Sequence, residues 1–434
     1  MILIFTDEIT QRINYTFKMV FTNFMNTKIE ITNDKNYFTS HKGLKISYSK
    51  NRIKDELFFY SSDILFQNKI SNLNIEVSSW KKIKIFFHTN ETGSLPFDIF
   101  ACIFYMLSRY EEYLPHIKDN HKRFPAKNSL AFKNSFLKLP IVELWINELK
   151  LLIESFYPDF KFPQRRFNHI NTIDVDHAFL FKEIGFFRGI WKLFKSFVKF
   201  DFEKIKLQLK VLTNKLSDPY DNFDYLLKIS KKYNIEFIYF FLLADFSKYD
   251  KNIPFYNKRF IELIQSTSDY FNVGIHFSYN SNRSIYIKKN ELDRLSNIVK
   301  RKIKKSRQHF LKLNLPLTYQ NLIKLGIKED YSMGYASHFG FRAGTSLPYH
   351  FYDLENEKET DLLIKPFVVM DGTLNNYMKL NVEEAKYSIK NIISILKKVN
   401  GNYISIWHNH SLCDMDEWEG WKDIFEFSIK ELSK

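Results

Sequence analysis

Asp174 and Asp176 close an alternating stretch rich in branched residues, FNHINTIDVD from Phe167 to Asp176, which reads as a buried strand. Side chains at i and i+2 of a strand share a face, so both carboxylates point into one space. Like charges that close raise one pKa unless a cation neutralises them. Carboxylates stay buried only where a cation, a metal or a reaction holds them. An isolated D-x-D is more often a strand end emerging into solvent. Three histidines shift the balance here: His276 ends FNVGIH, His309 lies in SRQHF, and His408 ends YISIWH. One carboxylate with two imidazoles and a position left for water is the donor set of a catalytic zinc-type site. The plainer account is that these histidines satisfy hydrogen bonds in the core.

The elements that must position these residues are strands alternating with helices from Phe167 onward. Strands are expected to end near Asp176, Leu242, His276, Phe310, Asp330, Met370 and His408. The helices between them have start signals: Asp221 before FDYLLKISKKY, Thr318 before YQNLIKL, and Asn381 before VEEAKYSIKNIISILKKV. Repeated strand–helix units imply a parallel sheet, and their number suggests a barrel-like closure. Ligands in such folds sit at the carboxyl ends of the strands, where the polar residues named above fall. Residues 1–165 read as a separate unit with short strands and two helices, Pro96 to Tyr113 and Ile141 to Tyr157. The first is apolar almost all round, and its polar end, Arg109 to Glu112, is expected to emerge at the surface. The loop FKFPQRR, Phe160 to Arg166, marks the boundary.

With 434 residues, 45% of them hydrophobic, including 44 Phe and 25 Tyr, the chain can build large cores. A formal charge of +15 suits anionic surroundings such as acidic glycans or a membrane surface. No zinc-knuckle spacing, RNP-like motif or focused basic helix is present, so nucleic acid is not an expected partner. Two cysteines, Cys102 and Cys413, rule out a disulfide framework and a thiolate cluster; this fits a reducing, cytoplasmic compartment. The start, MILIFTDEITQRINY, reads as a first strand rather than a signal peptide, and no stretch has the roughly 20 apolar residues of a transmembrane span. Phe179 to Phe200 is a basic, aromatic, amphipathic segment. Its expected use is to cover a site or pack on the neighbouring domain, with peripheral membrane contact as the alternative.

The order of these motifs resembles the polysaccharide deacetylase (NodB-homology) superfamily, that of carbohydrate esterase family 4. Its T-F-D-D motif resembles Thr172-Ile173-Asp174-Val175-Asp176, with one residue inserted. The resemblance implies that Asp174 is the general base and Asp176 a metal ligand. In the family's H-S/T-x-x-H motif His276 matches the first histidine, but Asn280 stands at the second. His309 is the implied replacement, and Arg307 resembles the family's third-motif arginine. His408, ending Ile404-Ser405-Ile406-Trp407-His408, resembles the histidine that protonates the leaving group. A bacterial branch with an extra N-terminal domain carries stretches similar to Asp330 to Ala336 and Gly340 to Thr345. The implied fold is α/β: a distorted (β/α) barrel of the NodB-homology type over 166–434, preceded by an α+β accessory domain over 1–165.

The implied reaction is hydrolysis of an acetyl group, on nitrogen rather than oxygen, of a glycan or glycan precursor. Its cofactor is a divalent ion, zinc by donor type, on Asp176, His276 and His309. Asn280 keeps a metal-free amidohydrolase open, and a catalytically silent glycan-binding protein is the third reading. There is no G-x-S-x-G elbow and no Walker A or G-x-G-x-x-G loop, which disfavours serine esterase and nucleotide chemistry. Arg342, beside Ala343 and Gly344, is expected to pair with Asp174, bind an anionic sugar group, or brace the sheet. Asp330 is expected to orient a ligand histidine or to cap a helix. Trp407, Trp418 and Trp421 can stack on a sugar, although packing is the commoner use of tryptophan. His177 and His410 are expected to be polar bystanders.

Overall fold

The computed structural model describes residues 1–89 and 93–434. Its first strands, β1 (Ile2–Thr6), β2 (Ile29–Thr32), β3 (Lys45–Ser49) and β4 (Leu57–Tyr60), form a sheet of order β2-β1-β3-β4. All its pairings are parallel, an α/β arrangement where the sequence suggested α+β. A small antiparallel hairpin follows, β5 (Ser78–Trp80) and β6 (Ile83–Ile85). The helix Ile99–Leu107 is buried along its whole length. Asp98 caps it by accepting from the Ala101 N–H, and also accepts from the Tyr48 hydroxyl.

The expected exit of this helix to the surface does not occur. Arg109 adopts a left-handed conformation (φ 55°) and turns its guanidinium inward, and Arg109 and Glu112 are both buried. A cation survives there because Glu111 and Glu112 accept from it at 2.8 and 2.9 Å.

The remaining strands are β7 (Asn168–Val175), β8 (Phe237–Leu242), β9 (Asn272–Phe277), β10 (Lys305–Gln308), β11 (Glu329–Asp330), β12 (Tyr349–Asp353), β13 (Lys358–Ile364), β14 (Val369–Met370) and β15 (Asn402–His408). They form a single sheet of order β12-β13-β11-β10-β9-β8-β7-β15-β14. Every pairing is parallel except β12 with β13. The protein is therefore a mixed α/β fold on a large, mainly parallel sheet, whose end strands β12 and β14 do not pair with each other. FIYFFL of β8 is buried at all six positions, as a strand covered on both faces must be. The chain steps from β7 to β8, β9, β10 and β11 on one side, then returns to lay β15 on the other side of β7. That reversal opens a crevice at the carboxyl end of β7.

Three local expectations shift. LIKPFVVM is two strands, because Pro366 has no N–H to donate between β13 and β14. Thr318 lies inside the helix Leu317–Lys324, and its hydroxyl accepts from the Asn314 N–H. Asn222, not Asp221, occupies the N-cap of Phe223–Tyr233. The Asn381 start of Val382–Lys398 is a full capping box with Glu384.

The N-terminal part packs on the β12–β13 hairpin and the loop before it. The Tyr15 hydroxyl donates to the His350 carbonyl, Arg12 pairs with Glu357, and the Ser346 hydroxyl donates to Glu143. One hydrophobic cluster includes both Phe100 and Tyr239, so the core runs through both parts.

Candidate metal and catalytic site

Asp174, the penultimate residue of β7, is buried, and its Oδ1 accepts from Arg307 Nη1 at 2.6 Å. The same nitrogen donates to the Thr172 hydroxyl, and Arg307 Nε donates to the Tyr331 carbonyl. The guanidinium is fully buried and lies over the Phe240 ring, so its fork is held rigidly against one carboxylate oxygen. The other oxygen, Oδ2, faces His276 Nε2 at 3.6 Å.

Asp176 lies one residue beyond β7 and is the point on which the imidazoles converge. Its Oδ1 is 3.3 Å from His276 Nε2, and its Oδ2 is 3.4 Å from His309 Nε2 and 3.7 Å from His408 Nε2. Ligand atoms of Asp176, His276 and His309 all lie within 4.8 Å of one another. His309 sits just past β10, which pairs beside β9, so neighbouring strand ends bring the two histidines together. His408 comes from β15, paired to β7 with His408 opposite Asp174.

Each ring is held from behind. His276 Nδ1 faces the Arg307 carbonyl at 3.2 Å; a carbonyl only accepts, so the proton sits on Nδ1. His309 Nδ1 donates to Asp250 at 2.9 Å, and His408 Nδ1 donates to Asp371 at 2.7 Å. In all three, Nε2 is the nitrogen turned toward Asp176. Burial lowers the pKa of His309, but Asp176 and Asp250 outweigh it and hold it at about 9. Burial likewise opposes His408, which Asp371, Asp176 and Asp174 hold at about 10. Burial raises Asp176, but His309, His276 and His408 overcome it and pull the carboxyl well below its usual range. His410, beside His408, falls to about 3 because it is buried next to a positive ring.

These residues fit a divalent ion. Asp176 Oδ1 is buried and has no hydrogen-bond partner among the described residues, an expensive state for a carboxylate oxygen. A dication bound there would satisfy it, displace the proton that His309 otherwise holds on Nε2, and draw on Nε2 atoms that the backing groups already orient. The cavity in front of the cluster holds about 200 Å³ and is lined by Asp174, Asp176, His276, His309 and His408, with Arg123 and Trp418 at its wall. A larger cleft of about 600 Å³ shares Arg123, Leu311, Ala336 and Tyr377 with it.

Other expected site residues do not touch the histidine cluster, although Arg342 lines the larger cleft. Arg342 does not reach Asp174; it grips Glu112 with two nitrogens at 2.9 and 2.6 Å and donates to the Gly334 carbonyl. Among the described residues Asp330 bonds to no histidine and caps no helix; it accepts from Ser306 and from the Ser332 backbone and hydroxyl. Trp407 is fully buried, edge-on to Phe425, so it has no face for a sugar. The Asn280 side chain does not line the cavity, and its backbone N–H points to Asp250 at 3.4 Å.

Asp250 and Asp371 escaped the sequence reading. Asp371 follows β14 directly and repeats the pattern of a strand ending in a carboxylate, a signal that could have found it. Asp250 sits in the loop SKYDKN, with no apolar frame to mark it.

Residues 2–158 match the model of a family of unknown function, DUF7033. No curated protein matches the chain. Similar solved structures include a polysaccharide deacetylase from Bacillus cereus, 11% identical over 62% of this chain and 87% of that one, with a TM-score of 0.32. Another is the Puue allantoinase, 10% identical over 61% of this chain and 87% of that one, with a TM-score of 0.38.

Proposed function

We propose that the protein is a metal-dependent hydrolase that removes an acetyl group, on nitrogen rather than oxygen, from a glycan or glycan precursor. The observation that carries the reading is the Asp176 carboxylate, whose buried Oδ1 lacks a hydrogen-bond donor and faces His276 while its Oδ2 faces His309. Those three residues would hold a divalent ion, zinc by donor type, which supplies Lewis acidity toward the acetyl carbonyl and the attacking water. Asp174 keeps one oxygen on Arg307 and turns the other toward the cluster, so it serves as the base that takes the water's proton. His408, backed by Asp371, presents Nε2–H to the departing nitrogen. An amide anion is a poor leaving group, so N–C cleavage needs that proton. Residues 1–165 act as an accessory domain that contributes Arg123 to the cavity wall and no metal ligand.

His408→Ala is expected to lower acetate release by roughly 10²- to 10⁴-fold while leaving bound metal unchanged. Metal content and turnover on a panel of N-acetylated sugars check this together. Loss of metal in that variant would make His408 a ligand rather than an acid. Asp250→Ala frees His309 Nδ1 and should weaken zinc affinity by roughly 10- to 100-fold, measured by competition with a chromogenic chelator. Full activity of metal-stripped protein would instead favour a metal-free amidohydrolase.

A further inference from the structure

The helices Phe186–Val198 and Phe202–Leu212 form a hairpin, and the first of them turns its apolar side to solvent rather than to the protein. On Phe186–Val198, the residues Phe186, Phe187, Ile190, Trp191, Phe194 and Phe197 fall within an arc of about 140°. All six face solvent, with Phe187 at 85% and Trp191 at 65% exposure. The side turned to the protein is polar. Ser196 is buried, the Gly189 carbonyl accepts from buried Gln208, and Lys192 donates to the Leu180 carbonyl. This helix neither caps the catalytic cavity with its aromatics nor packs them on the N-terminal part, as the sequence suggested. An apolar face of this size left in water marks a binding surface.

The charge around that face selects the occupant. From Lys182 to Lys215 the chain carries nine Lys or Arg against three Asp or Glu. Lys195 and Lys199 are exposed beside the aromatic arc. Two copies of so basic a face would repel each other, which disfavours a self-dimer. An anionic lipid surface accepts both features: the aromatics enter the acyl boundary and the lysines meet the phosphates. No described helix is long and apolar enough to cross a membrane, so contact through this face is interfacial. We propose that the outward face of the hairpin docks the protein peripherally on an anionic phospholipid surface. The hairpin is tethered through Arg188 to the Asn252 carbonyl and through Lys204 to Asp416. Both anchors are two residues from groups of the site, Asp250 and Trp418, so the inner side of the hairpin is held by segments that also reach the cavity.

Sedimentation of the full chain with vesicles tests the proposal and is independent of the reaction. Wild type is expected to sediment with mixed phosphatidylcholine–phosphatidylglycerol vesicles, less so in high salt, and to stay in solution with phosphatidylcholine alone. Phe187→Ser/Phe194→Ser and Lys195→Glu/Lys199→Glu should each cut binding by about tenfold or more. Both pairs are exposed, so thermal unfolding should stay at the wild-type midpoint. Wild type left in solution with the mixed vesicles overturns the proposal. So does a folded variant that binds like wild type, or a solution dimer that Phe187→Ser/Phe194→Ser converts to a monomer.

Discussion

Replacing Asp176 by alanine is expected to leave purified protein with little bound metal and no measurable deacetylation. Asp176 is the one carboxylate on which His276 and His309 converge, and its removal takes away the only anionic donor of the set. Losing a group that merely orients a ligand costs roughly 10- to 100-fold in affinity, so losing the ligand itself should cost more than about 100-fold. His276→Ala should behave alike. His309→Ala is the informative comparison, because the H-S/T-x-x-H pattern would place a histidine at Asn280. If His309 is the third donor, its alanine variant loses metal as His276→Ala does, and Asn280→Ala keeps it. Metal stoichiometry by plasma emission across the four variants decides this; one tightly bound ion per chain in Asp176→Ala would sink the site.

The second large effect is expected far from that chemistry. Glu112→Gln should destabilise the protein by about 3–5 kcal/mol in denaturant unfolding at neutral pH. The Glu112 carboxylate lies between Arg109 and Arg342, and all three are buried. Burial raises the carboxyl, but the two guanidiniums outweigh it and hold it down at about 2. A depressed carboxyl stabilises the fold fully above its unfolded pKa of about 4.3 and loses that contribution as pH falls toward 2. The difference between wild type and Glu112→Gln should therefore be constant near neutrality, shrink below pH of about 4, and vanish only as the pH passes below about 2. A difference that does not change with pH would mean that the carboxylate's charge is not what holds the two arginines.

The Glu112 pair also links residues 1–165 to the loop that runs from β11 to β12. The sequence places Arg342 in a small-residue setting but cannot name its partner, because a charged residue pairs with whatever the fold brings near. Here that is a glutamate 230 residues away, on a segment whose apolar helix is expected from its sequence to leave the core. Trp407 misled for a related reason. Neighbouring a catalytic candidate in sequence puts it on the opposite face of β15, so it is buried against Phe425 while His408 faces the cavity.

The pattern of the chain was enough to set the strand ends. A period of two, with the apolar run stopping at a carboxylate or imidazole, located Asp174, Asp176, His276, His309 and His408 at or just past carboxyl ends of a parallel sheet. Tertiary structure decided what stands behind them: Asp250 from a loop, Asp371 one residue beyond β14, and Arg307 rather than Arg342 on Asp174. Strand periodicity is local, whereas an orienting hydrogen bond depends on which distant segments the fold brings together. The same division holds for Phe179 to Phe200. Its amphipathicity is written in residue spacing, but spacing specifies only that one side is apolar. Whether that side turns inward is settled by what the other side can bond to, and here partly buried polar contacts to Gln208 and Leu180 hold the polar side and leave the aromatics facing out.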